Sequence, residues 1–116
     1  MGNPVVHFEI AANDGKKMQE FYAKLFDWKV DANNPMNYGM VETQGNSGIN
    51  GGIFTRSKSW QPPITFYVHV DDLQKYLDRA IQLGGRQILP PTLIAPEIGS
   101  CAMFEDPDGN VIGLFK

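Results

Sequence analysis

His7 and Glu9 stand two residues apart in the stretch Val5–Ala12. Alternate side chains of an extended strand point the same way, so this imidazole and carboxylate share a face. Such a pair can serve as a general base or as part of a metal site, because imidazole changes charge near neutral pH. It can equally be two hydrogen-bonding groups in a half-polar cleft, since structural ion pairs are commoner than catalytic ones. A second row, Thr65, Tyr67 and His69, shares one face of the stretch Ile64–Val70. His69 would complete a His7, Glu9, His69 metal triad, although no ligand-spacing rule supports that geometry.

Other reactive residue types offer less. The single cysteine, Cys101, excludes an internal disulfide and a Cys-rich zinc site, and it reads as a small buried hydrophobe. Asp106 and Asp108 form a paired acid motif, but Pro107 between them and Gly109 after them favour a turn. Ser47 and Ser100 sit in no nucleophile elbow, and there is no phosphate-cradling loop. Phe54, Met103 and Phe115 can line a cleft or the core, and core is the safer reading at strand positions. Trp28 stands at a helix exit, and Trp60 in the linker can cover a ligand or interface, or pack against the fold.

These residues need elements to hold them. Val5–Ala12 alternates as a strand. Asp14 is placed to cap a helix whose apolar stripe is Met18, Phe21, Tyr22 and Leu25, ending near Phe26. Strands are expected at 27–30, 38–43 and 50–55, with a turn at Asn33-Asn34-Pro35 and a loop over Gln44–Gly48. A polar linker ends in Gln61-Pro62-Pro63, and the pattern restarts. Ile64–Val70 is a strand, and Asp71 with Gln74 resembles a capping box. Leu73, Tyr76, Leu77, Ala80 and Ile81 give a second helical stripe, stopped by Gly84-Gly85. A short strand at 87–89 should end at Pro90-Pro91, and strands at 100–105 and 110–115 flank the Asp106–Gly109 turn.

The order strand, helix, strand, strand, strand thus occurs twice. A shift of 58 residues puts His7 on Thr65 and Leu25 on Leu83; at the ends, a shift of 61 puts Gly52-Ile53-Phe54 on Gly113-Leu114-Phe115. A period this long with two copies is no solenoid. It suggests a duplicated module, each with one helix covering one sheet face.

Composition narrows the class. With 116 residues, 42% hydrophobic and 20% charged, the chain should fold as one domain. A net charge of −3 argues against a nucleic-acid partner. A mean hydropathy of −0.27 and the lack of a long apolar run argue against a membrane partner. Glu9, Asp14, Lys16 and Lys17 interrupt any apolar export signal, so a cytoplasmic location is expected.

Three segments carry a family resemblance. The first is Phe21-Tyr22 followed by Leu25-Phe26-Asp27-Trp28, and the second is Ala80-Ile81-Gln82-Leu83-Gly84-Gly85. The third and most specific is the closing hairpin, Glu105-Asp106-Pro107-Asp108-Gly109-Asn110-Val111-Ile112-Gly113-Leu114-Phe115. Over nearly its whole length the chain resembles the glyoxalase, bleomycin-resistance and extradiol dioxygenase proteins, the vicinal oxygen chelate superfamily. The resemblance implies an α+β fold: two βαβββ modules with pseudo-twofold symmetry, about 1–57 and 62–116, whose mixed sheets curve around a central cleft. It also implies a small ligand in that cleft, often with a divalent metal. The family's metal-ligand positions fall on His7, Gly52, Thr65 and Gly113, and of these only His7 is a good ligand.

The expected function is therefore to bind a small organic molecule, or to convert it, without a tightly held metal or other cofactor. His7, Glu9, Gly52, Thr65, Tyr67, His69 and Gly113 would line the cleft. One alternative is a metal-dependent lyase, isomerase or dioxygenase of glyoxalase type using His7. Another is a non-catalytic protein that sequesters a drug or metabolite. A homodimer formed by module exchange is compatible with the duplicated architecture.

Overall fold

The computed structural model describes residues 2–43, 45 and 47–116, so Gln44 and Asn46 of the expected loop lie outside the described residues. The elements, in order, are β1 (Val5–Ala12), α1 (Gly15–Phe26), β2 (Lys29–Asp31), β3 (Gly39–Glu42) and β4 (Gly51–Thr55). The same order follows as β5 (Ile64–His69), α2 (Leu73–Gln82), β6 (Arg86–Ala95), β7 (Gly99–Glu105) and β8 (Val111–Phe115). This is the duplicated α+β βαβββ arrangement expected from the sequence. The chain divides into two compact units: residues 7–64, and residues 65–116 with the segment preceding His7.

In the first unit the strand order is β2-β3-β4-β1, with β1 parallel to β4 and the other pairs antiparallel. Asp14 caps α1, its carboxylate accepting from the Lys17 amide at 3.2 Å. Asp27 ends the helix in the left-handed region (φ 58°), so β2 begins after Trp28 rather than at Asp27. The expected stripe needs correction. Phe21 and Leu25 are 52% and 57% exposed, and α1 buries Gly15 and Gln19 instead. A Cβ on Gly15 would lie 2.7 Å from the Thr55 backbone nitrogen. The missing side chain lets the helix start close in on β4 and turns the Gly15–Gln19 line inward. Val41, Ile53, Ala11 and Ala12 form the buried apolar part of this unit.

In the second unit the order is β5-β8-β7-β6, with β5 parallel to β8 and the rest antiparallel. Asp72, not Asp71, caps α2, accepting from the Lys75 amide at 3.1 Å. Leu73 and Leu77 of α2 pack with Val70, Ala102 and Leu114 in one buried cluster. Gly84 takes φ 101° after the helix, where a side chain would be strained. The strand expected to stop at Pro90 runs on to Ala95. It lies at the sheet edge, where a proline's missing N–H breaks no ladder, and its register shifts between Leu89 and Thr92.

The two sequence offsets have a structural meaning. Glu9 pairs with Gly52 and Ile10 with Ile53; Tyr67 pairs with Gly113 and Val68 with Leu114. The first and last strands of each module therefore meet in the same register.

Candidate functional site

Within the first unit, His7 and Glu9 project from β1 to one hydroxyl, that of Tyr38. The His7 Nε2 lies 2.9 Å from the Tyr38 oxygen, and the Tyr38 hydroxyl donates to Glu9 Oε2 at 2.9 Å. The shared strand face expected for His7 and Glu9 is present, with a phenol between them. As a carboxylate, Glu9 only accepts. The phenol's one proton therefore goes to Glu9, and its oxygen accepts from an Nε2–H on His7. That places the imidazole's lone pair on Nδ1. Burial holds the His7 imidazole below its ordinary value of 6.5, because a charged ring is poorly solvated there.

Tyr38 is held along its backbone and on its ring. The Asn34 carboxamide clamps the backbone, its Oδ1 accepting from the Tyr38 amide at 2.9 Å and its Nδ2 donating to the Tyr38 carbonyl at 2.7 Å. Asn37 turns the chain just before Tyr38 in a left-handed conformation, φ 53°. Gln19 Nε2 donates to the Ile53 carbonyl at 2.7 Å and, more weakly, to the Asn37 carbonyl at 3.5 Å. One buried carboxamide thus ties the segment before Tyr38 to the strand that carries Gly52. Phe54 stacks on the Tyr38 ring, with centroids 5.5 Å apart and planes 23° apart. Gly52 completes the seat: a Cβ there would overlap the Tyr38 hydroxyl and ring.

The other expected site residues belong to the second unit. Thr65 is buried, and its hydroxyl donates to the Val111 carbonyl at 2.7 Å. The Tyr67 ring lies over Gly113, where a Cβ would overlap it. His69 is exposed and tilts against Phe115, with centroids 6.2 Å apart. The structure joins His7 and Glu9 through Tyr38 above Gly52, and separately joins Tyr67 with Gly113.

A resident cation fits these donors poorly. The space above Gly52, where a ligand side chain would stand, holds Tyr38. The Thr65 hydroxyl is engaged with backbone, and the space above Gly113 holds Tyr67. Among the described residues no group of three or more His, Cys, Asp or Glu is placed to hold a metal ion. Stable first-row sites need at least three such donors.

Sequence reasoning missed Tyr38, reading it only as the start of a strand. The available signal was Gly52, a side-chain-free position beside the His7–Glu9 face. Close approach of another ring is one of the few reasons a strand interior carries glycine.

Comparison with known proteins agrees with this architecture. The family described as "Glyoxalase-like domain" matches residues 7–115. A Mycobacterium bovis protein, named provisionally as the glyoxylase CFP32, is 26% identical over 116 residues, covering 93% of this chain and 43% of its own length. Its Mycobacterium tuberculosis counterpart gives the same figures, so the chain spans less than half the length of these curated relatives. A glyoxylase-like domain-containing protein of Didymella fabae is 26% identical over 108 residues, covering 88% of this chain and 84% of its own. Among solved structures, a glyoxalase/bleomycin resistance protein/dioxygenase superfamily member from Vibrio splendidus 12B01 has a TM-score of 0.65 at 16% identity, covering 98% of this chain and 97% of that one. With a match that spans residues 7–115, most of its length, the chain belongs to the glyoxalase-like domain family.

Proposed function

We propose that this protein binds a small organic molecule at the His7–Tyr38–Glu9 group, and performs any chemistry there by proton transfer without a tightly held metal. The observation that carries this reading is the Tyr38 hydroxyl, 2.9 Å from both His7 Nε2 and Glu9 Oε2. A proton taken up by the imidazole gives a cation. The phenol bridges that cation to a carboxylate, which steadies it in a half-buried setting. Phe54 and the phenol add aromatic surface beside the polar groups, the mixture small-molecule sites use. No described helix is long and apolar enough to cross a membrane. We place the protein in the cytoplasm, with a small organic molecule rather than nucleic acid or membrane as its partner.

A panel of small carbonyl compounds and carboxylates, scored by melting temperature, tests the reading, since a ligand that binds only the native state raises it. At least one compound should raise the wild-type melting temperature, and His7→Ala and Glu9→Gln should lose that rise while remaining folded. A rise kept in full by both variants would move the site elsewhere. Recovery of the compound altered marks an enzyme; recovery unaltered marks a sequestering protein. Near-stoichiometric zinc, nickel, iron or manganese in the purified protein would overturn the metal-free reading in favour of a metal-dependent lyase, isomerase or dioxygenase.

A further inference from the structure

We propose that Tyr38 is a positioning residue built into the place a cation would take: its hydroxyl links His7 to Glu9, and Gly52 is glycine in order to admit it. The inference deepens the site reading above and rests on it.

Three observations converge. First, the hydroxyl lies within hydrogen-bond distance of both the His7 and the Glu9 side chains, at 2.9 Å from each. Second, Gly52 pairs with Glu9 across β1 and β4, and its absent Cβ points at that same hydroxyl. A side chain at residue 52 would therefore enter the space where the His7 and Glu9 groups meet. Third, the phenol does not drift into that space. Asn34 fixes its backbone on both sides, Gln19 ties the preceding carbonyl to β4, and Phe54 backs its ring. A merely space-filling aromatic would need none of the carboxamide clamps.

The chemical consequence is specific. A cation between His7 and Glu9 would take the imidazole's lone pair and hold the carboxylate. A phenol takes the imidazole's N–H and gives its own proton to the carboxylate. The two arrangements demand opposite states of Nε2: unprotonated for a metal ligand, protonated for the phenol. The structure therefore assigns His7 the Nε2–H tautomer, with Tyr38 as the group that selects it.

Two measurements test this, neither needing a substrate. Nitrogen-15 NMR distinguishes the two tautomers, and the chain has two histidines, so His69→Gln completes the assignment. Wild-type His7 should show Nε2 protonated; Tyr38→Phe, which keeps the ring and loses the hydroxyl, should abolish that preference and leave His69 unchanged. A His7 signal identical in wild type and Tyr38→Phe would overturn the proposal. The second measurement is Ni²⁺ titration by calorimetry. Wild type should show no stoichiometric binding. Tyr38→Ala/Gly52→Glu, which vacates the seat and adds a carboxylate to His7 and Glu9, should bind one ion per chain and lose it when His7→Ala is added. Stoichiometric Ni²⁺ on wild type through His7, or none on the folded double variant, would overturn it. Failure of the small-molecule screen leaves both readouts intact, so the two readings fail separately.

Discussion

In the second unit, α2 turns Leu73 and Leu77 onto strands carrying Val70, Ala102 and Leu114. In the first unit, α1 turns Gly15 and a buried glutamine onto its strands, while Phe21 and Leu25 of the same helix stay half exposed. Two modules with the same element order and the same first-to-last strand register are thus packed by different physics. Apolar packing is non-directional and tolerates small shifts. A buried carboxamide is costly unless its hydrogen bonds are made, and making them fixes distances. Among the described residues no buried side-chain nitrogen or oxygen lacks a partner. The first unit's polar interior is therefore fully used, and what it fixes is the segment carrying Tyr38. The second module's helix is held by area, the first adds the geometry of a buried carboxamide to the packing of Val41 and Ile53, and that geometry lies where the acid–base groups are.

Two substitutions separate these roles. Leu77 is fully buried. Leu77→Ala should cost about 2–5 kcal/mol in urea unfolding, the transfer term plus the cavity left behind. It should leave the His7 tautomer as in wild type. Gln19→Leu should cost less, about 1–3 kcal/mol, for the carbonyl partners it orphans. Unlike the larger loss, it should disturb the His7 nitrogen signals, because the Asn37 and Ile53 carbonyls are no longer tied together. If Leu77→Ala moves those signals and Gln19→Leu does not, the division between area and geometry is wrong.

The same contrast explains what could be read beforehand. Period-two and helical periodicity find elements packed by area, so the duplicated order and most of the α2 stripe are visible in Leu73, Tyr76, Leu77 and Ala80, although Ile81 of the same stripe is 49% exposed. Periodicity fails where the buried face is polar or empty: Met18, Phe21, Tyr22 and Leu25 look like a core stripe, and nothing in composition marks Gly15 and Gln19 as the inward line. Asp71 and Asp72 are chemically equivalent caps one residue apart, which pattern alone cannot separate. Pro90-Pro91 reads as a stop because pattern does not say which strand lies at an edge. His7 and Glu9 were legible as a pair because they are neighbours on one strand. Tyr38 was not, because it stands 31 and 29 residues from them and meets them only through tertiary contact. Gly52 was read as a missing donor, whereas in the fold it makes room for a ring.

The half-buried imidazole also gives the first unit a pH dependence. Burial lowers the native His7 pKa below 6.5. Between the two values the unfolded chain holds a proton on His7 that the native chain does not. Unfolding takes up that proton, so stability must fall as pH drops from about 6.5 towards the native value. Below the native value both states are protonated and this contribution stops changing. Above 6.5 both are neutral and it is full. His7→Gln should flatten the urea midpoint across that window. An unchanged slope would mean that the ring is solvated in the native state and that its contact with Tyr38 is transient.

The smallest effect belongs to the closing hairpin of the second unit, where the acid pair Asp106 and Asp108 does turn work. The Asp106 carboxylate accepts from the Asp108 and Asn110 amides and from the Asn110 carboxamide, each at 2.9 Å. These bonds, the Asn110 side chain's first, hold its pKa below the usual 3.8. The sign is opposite in cause to that of His7, because here the charged form is favoured by donors rather than disfavoured by burial. The direction in pH is nevertheless the same. Above 3.8 the contribution is complete; it is lost as pH falls through the lower native value, because the unfolded carboxylate protonates first. Asp106→Asn keeps an acceptor oxygen but loses the charge and one acceptor site. It should weaken protection of the Asn110 amide in hydrogen exchange and remove the acid-side slope, with no effect on His7. Because solvent reaches the carboxylate and screens it, the change in overall stability should be the least of the four. If the variant instead shifted the His7 signals, the polar geometry of the first unit would depend on this turn, and the two modules could not be treated as separately built.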